Sequence, residues 1–90
     1  MRTIKFDQAR IEVNGKILAD SLVGEARFYM SGNLKTWDGY FSCSDFSLFE
    51  NRENKFLVVP GVINGVVVFT NFNGNTFHFK GSGDPTAGGI

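Results

Sequence analysis

The chain predicts an all-β fold, a small antiparallel barrel or sandwich of about six strands in successive hairpins. Three observations carry that expectation. Val, Ile, Phe, Thr and Tyr alternate with polar residues along most of the chain. No segment of ten or more residues repeats its apolar positions at a helical period. Glycine and asparagine recur side by side, at Asn14-Gly15, Gly32-Asn33, Asn64-Gly65 and Asn73-Gly74, where tight hairpin turns favour them.

Ninety residues make one domain, expected over 1–80 with a mobile Gly-rich tail over 81–90. A chain of this size buries roughly 60–65% of its unfolded surface, so it folds alone with little margin. Ten of its aromatic residues are Phe against one Trp and two Tyr, a choice that fills a core without needing hydrogen-bond partners. Nine basic and nine acidic residues cancel, which counts against a nucleic-acid partner. No apolar run is long enough for a membrane span, and MRTIKFDQAR has no signal-peptide pattern, so a cytoplasmic protein is expected. The single cysteine, Cys43, excludes an internal disulfide and any CxxC metal site, and is expected as a small core residue in a reducing compartment. No cofactor or metal is implied.

Taken in order, the first strand runs from about Thr3 to Val13. Its apolar positions change parity between Ile4, Phe6 and Ala9, Ile11, Val13, which predicts a bulge near Asp7-Gln8. At Asn14-Gly15 a two-residue loop would set Glu12 against Ile17. A three-residue loop sets Glu12 against Lys16 and Ile11 against Ile17, and is preferred for matching like with like. The strand from Lys16 toward Met30 is too long to stay flat, and Gly24 permits a bend or bulge. After a turn at Ser31-Gly32-Asn33, the strand to Ser44 places Trp37, Gly39, Phe41 and Cys43 on one face, against Thr36, Asp38, Tyr40 and Ser42. Phe46 and Phe49 break the alternation, and Ser47 with Glu50 permits one helical turn near 45–51 with a capping box. Lys5-Phe6 precedes Asn14-Gly15 as Lys55-Phe56 precedes Asn64-Gly65, a faint internal echo.

Phe56 to Lys80 reads as three apolar strands. With a two-residue turn at Asn64-Gly65 and a three-residue loop at Phe72-Asn73-Gly74, Phe69 pairs with Phe77 and Val67 with Phe79. The core face then carries Phe56, Val58, Pro60, Val62, Val67, Phe69, Phe77 and Phe79, with Asn71 its one polar member. Pro60 would sit at a strand edge or bulge. The opposite face is apolar over Leu57, Val59, Ile63, Val66 and Val68, where a solvent-facing sheet would be polar. Something must cover it: the N-terminal strands, an identical subunit or a ligand.

The chemistry-bearing residues are few. His78 is the only histidine, and no motif supplies it with a nucleophile or an orienting partner, so a solvent-facing strand histidine is expected. The carboxylates are scattered, without calcium-loop or paired-acid spacing. Trp37-Asp38-Gly39-Tyr40 has a ligand-binding flavour, but alternation puts Trp37 and Tyr40 on opposite faces. Trp37, Tyr40 and His78 are the candidate ligand contacts. The order of strands, short helix and strands resembles the oligonucleotide/oligosaccharide-binding barrel, which would imply binding of such a ligand. The leading expectation is a non-enzymatic module that self-associates through Leu57, Val59, Ile63, Val66 and Val68. The alternative is a small barrel that binds a small apolar or carbohydrate ligand in a Phe-lined interior.

Overall fold

A computed structural model of the chain describes residues 2–31, 34–45, 47–50 and 53–82. Six strands form, β1 (Arg2–Val13), β2 (Lys16–Ser31), β3 (Leu34–Ser42), β4 (Lys55–Val59), β5 (Ile63–Phe72) and β6 (Thr76–Gly81), with one helical turn, α1 (Ser47–Glu50), between β3 and β4. All neighbours are antiparallel, and the order β1-β2-β3-β6-β5-β4 closes on itself. The expected all-β fold is therefore a barrel rather than a sandwich. It differs from the oligonucleotide/oligosaccharide-binding barrel, which is five-stranded and partly open.

The barrel is two meanders, β1–β3 and β4–β6, joined edge to edge twice, β3 to β6 and β1 to β4. Exchanging one meander for the other maps the strand order onto itself. The Lys-Phe and Asn-Gly echo does not follow that pattern. Asn14-Gly15 is a turn, whereas Asn64-Gly65 lies inside β5.

The N-terminal meander is bent by bulges. Asp7 and Gln8 stand against Val23 alone, between the pairs Phe6↔Gly24 and Ala9↔Leu22, which is the expected parity change. The turn corrects the expectation of a three-residue loop. Asn14 (φ 52°) and Gly15 (φ 78°) are both left-handed and connect Val13 to Lys16 directly, as a type I′ turn does. The polar–apolar mismatch of Glu12 with Ile17 is resolved beyond the turn. Leu18 is an extra residue on β2, after which Ile11 faces Ala19. In the middle of the meander β2 and β3 approach too closely for side chains: a Cβ on Gly24 would lie 2.0 Å from the Tyr40 carbonyl oxygen, and one on Gly39 2.1 Å from that of Glu25. Trp37, Gly39 and Phe41 face inward as expected, and Cys43 is half-buried against the core. Gly32 and Asn33 of the next expected turn lie outside the described residues, although β2 and β3 pair out to Ser31↔Leu34.

In the C-terminal meander both expected turns are displaced. The first is Pro60-Gly61, not Asn64-Gly65: Val62 N donates to Val59 O at 2.9 Å, and Gly61 has φ 75°. A left-handed glycine at the third position is what a type II turn requires, and proline is favoured at the second. The physical reason is that a turn here removes Pro60 from a ladder in which it has no N–H to donate. Val59 then pairs with Ile63, Leu57 with Gly65 and Lys55 with Val67, so β4 presents Leu57 and Val59 inward and Phe56 outward, the reverse of the expectation. The second turn is also longer than expected. Asn73 N donates to Thr76 O at 3.3 Å across Gly74-Asn75, while Asn73 Oδ1 accepts from the N–H groups of Asn75 and Thr76. Phe69 pairs with Phe79 and Phe72 with Phe77, and Thr70 is bulged between them. That bulge turns the Asn71 amide out of the core and the Phe72 ring into it.

α1 forms where one helical turn was expected, with a different cap. Asp45 Oδ1 accepts from Ser47 N at 3.0 Å and from Ser47 Oγ at 2.6 Å, so Asp45 takes the capping role assigned above to Ser47. These bonds hold the Asp45 carboxyl below its ordinary pKa. Leu48 is buried beneath the turn, and Phe46 lies outside the described residues. β6 runs one residue past Lys80. Gly81 closes β6 against the Trp37 indole, and Ser82 N donates to Val66 O at 2.9 Å. The remaining tail, 83–90, lies outside the described residues.

The interior is a continuous file of rings. Phe28 stacks on Trp37 (centroids 5.8 Å), Trp37 meets Phe79 edge-on at 5.8 Å, and Phe41 lies 5.3 Å from Phe77. Phe77 stacks on Phe72 at 4.3 Å, and Phe72 on Phe49 of α1 at 6.3 Å. Pairs of this geometry contribute about 0.5–1.5 kcal/mol each beyond their area burial. The file links both meanders and the helical turn into one core.

Candidate functional site

The rings just described line the interior in which a Phe-lined ligand site was expected. Trp37 belongs to that interior, 1% exposed, and is not a surface ligand contact. Tyr40 and His78 are brought together instead. They are cross-strand neighbours on the outer face of β3 and β6, with ring centroids 6.1 Å apart.

The expected aliphatic face does not exist as such. Leu57, Val59 and Ile63 are 0%, 6% and 2% exposed within the core, because the Pro60-Gly61 turn inverts the parity of β4. Val66 is half-buried and Val68 is 57% exposed, both on the outside. Their companions there are different residues. Reading across the outer surface, Ile17 pairs with Glu12, Glu12 with Phe56 and Phe56 with Val66, a row that crosses β2, β1, β4 and β5. Ile17 and Phe56 are exposed, and Val68 extends the row along β5. Glu12 is the one charge in the row, and Arg10 on the same strand is hydrogen-bonded to it through Nε. Val58, beside Arg10 on the adjacent strand, is largely covered.

A second feature lies on the β2–β3–β6–β5 side. A surface depression of about 210 Å³ is lined by Arg27, Asp38, Gly39, Thr70, His78, Phe79 and Lys80. The registers that build it are Arg27↔Asp38 and Asp38↔Lys80, which set three charges side by side on three strands. The outside of a barrel is convex, and the hollow opens where the bulge at Thr70 breaks the β5–β6 register. Arg27 Nε donates to Asp38 Oδ1 at 3.2 Å. Lys80 forms no ion pair among the described residues.

No family model, curated protein or solved structure matches this chain. Its function has to be read from its own surface. Among the described residues no group of three or more His, Cys, Asp or Glu side chains converges on a point, and no helix is long and apolar enough to cross a membrane.

Sequence reasoning missed Arg27, Asp38, Thr70 and Lys80 as one cluster, and Phe56 and Ile17 as outward neighbours of Val66. The Arg27–Asp38 contact follows from the β2–β3 register. Placing Lys80 beside Asp38 needs the β3–β6 join, between strands far apart in the chain, for which no local signal exists.

Proposed function

We propose that the protein is a non-enzymatic interaction module that binds a second copy of itself through the outer row of Ile17, Phe56, Val66 and Val68. The observation that carries this reading is the continuity of the row across four strands, with exposed large apolar side chains at both ends and in the middle. Isolated exposed hydrophobic residues need no explanation, but a contiguous outer patch on a chain this small does. Glu12 is paired with Arg10, so covering the row buries an ion pair rather than a lone charge, which would be costlier still. The zero net charge leaves no long-range repulsion between copies.

Light scattering over a wide concentration range tests the reading. The mass should rise with concentration toward that of a dimer. Phe56→Lys and Val68→Lys should each give a folded monomer, since a substitution on an exposed strand face changes stability by only about 0.5 kcal/mol. A wild-type chain that stays monomeric at high concentration would sink the proposal.

A further inference from the structure

We infer that the depression between Arg27, Thr70, His78 and Lys80 is a binding site for a small oxyanion, a carboxylate or a phosphate group. The depression is centred on β3 and β6, whereas the apolar row is centred on β1 and β4; the two adjoin at Val68, the register neighbour of Lys80.

The donor set is the first argument. A guanidinium, an ammonium, an imidazole and a hydroxyl line one hollow, against a single carboxylate, that of Asp38. Asp38 does not cancel the site. It occupies the Nε edge of Arg27, and the terminal guanidinium nitrogens form no hydrogen bond among the described residues. Lys80 is the register neighbour of Asp38 on the other side, yet it forms no salt bridge with it. The hollow is therefore left with one unbalanced positive charge and a guanidinium edge held in place by Asp38. A planar fork with a fixed orientation beside a mobile ammonium suits an oxyanion, which takes charge-assisted hydrogen bonds from both.

Shape is the second argument. A flat outer sheet would hold these charges apart in solvent, where they act weakly. The depression beside the bulge at Thr70 instead lets a small group sit between β2, β6 and β5. The volume of about 210 Å³ suits a carboxylate or phosphate with part of the molecule that bears it. Tyr40 lies next to His78, so a flat body attached to the anion would meet a ring at the rim.

The test is a titration of the full chain with inorganic phosphate and, separately, with acetate, read by two-dimensional NMR at ionic strength held constant with sodium chloride. Saturable shifts of the Gly39, Thr70, His78, Phe79 and Lys80 amides are expected with at least one of them. Tighter saturation by phosphate assigns a phosphate ligand, and by acetate a carboxylate. Lys80→Gln should weaken binding about tenfold, the loss of one charge-assisted hydrogen bond. Asp38→Asn should tighten it several-fold by removing the only opposing charge while keeping an acceptor for Arg27. Both positions face outward, and unchanged shifts of core residues verify that the variants fold. The inference is overturned if the shifts do not saturate, if chloride reproduces them, if Lys80→Gln leaves them unchanged, or if Asp38→Asn weakens binding.

Discussion

The two meanders have the same connectivity and are shaped by different devices. The β1–β3 half has long strands and three register shifts against β2, and its outer face carries charges in cross-strand pairs such as Arg27–Asp38. In the β4–β6 half the strands are shorter, and Phe56, Val62 and Val68 stand exposed on the outside. Bulges bend the first half around the core, so its strands alternate cleanly only between irregularities. Tight turns place the second half, so a single turn decides which whole face is buried. A bulge inverts parity for the part of a strand beyond it, whereas a displaced turn inverts it for a whole strand.

The largest test of that difference is the parity of β4. Leu57→Lys should unfold the domain, because an unpaired buried charge costs about 3–5 kcal/mol or more in a chain with little stability to lose. Phe56→Lys, one residue away, should leave the circular dichroism spectrum and the denaturation midpoint nearly unchanged. The reverse outcome would restore a turn at Asn64-Gly65.

A smaller effect separates the turns themselves. Gly61→Ala forces a side chain into left-handed backbone and should cost about 1 kcal/mol, as should Gly15→Ala in the other half. Asn64→Ala, within β5 and exposed, should cost less than about 0.5 kcal/mol in urea denaturation. Equal costs at Gly61 and Asn64 would contradict the type II turn.

The smallest effect concerns the start of β4. Lys55 is 9% exposed; its Nζ donates to Glu53 O at 3.2 Å and lies 5.4 Å from the Phe69 ring centroid. Burial lowers its pKa from 10.5, with Glu53 partly opposing. Between the folded pKa and 10.5 the unfolded chain binds more protons, so this lysine makes stability rise with pH across that window. Lys55→Met should therefore raise the melting temperature slightly at neutral pH, worth about 0.5 kcal/mol after solvent screening, and the gain should fade as pH approaches 10.5. A gain that grew with pH would contradict the burial penalty.

Much of the first half was legible for a physical reason. The bulge at Asp7-Gln8 announces itself as a parity change within one strand, and Trp37, Gly39 and Phe41 alternate without interruption. In the second half two turn signals compete within six residues, and a turn at Asn64-Gly65 kept Pro60 in a strand, at an edge or bulge, where the structure puts it in the turn itself. Asn71, an amide on the expected core face, was itself a sign of the bulge that the structure places at Thr70. The depression was not legible as a unit. Its residues come from β2, β3, β5 and β6, and only closure of the barrel brings them together.

That closure is uneven. Five residue pairs join β3 to β6, but three join β1 to β4, from Arg10↔Val58 to Glu12↔Phe56. A ring of strands is only as durable as its shortest seam, and here the shortest seam is also crossed by the apolar row. Native-state hydrogen exchange should find the inter-strand amides of that seam exchanging sooner than those between β3 and β6. A second copy that covers Phe56 would then clasp the barrel shut, so association and mechanical integrity become one event, and a dimer would unzip later under load than its separate halves.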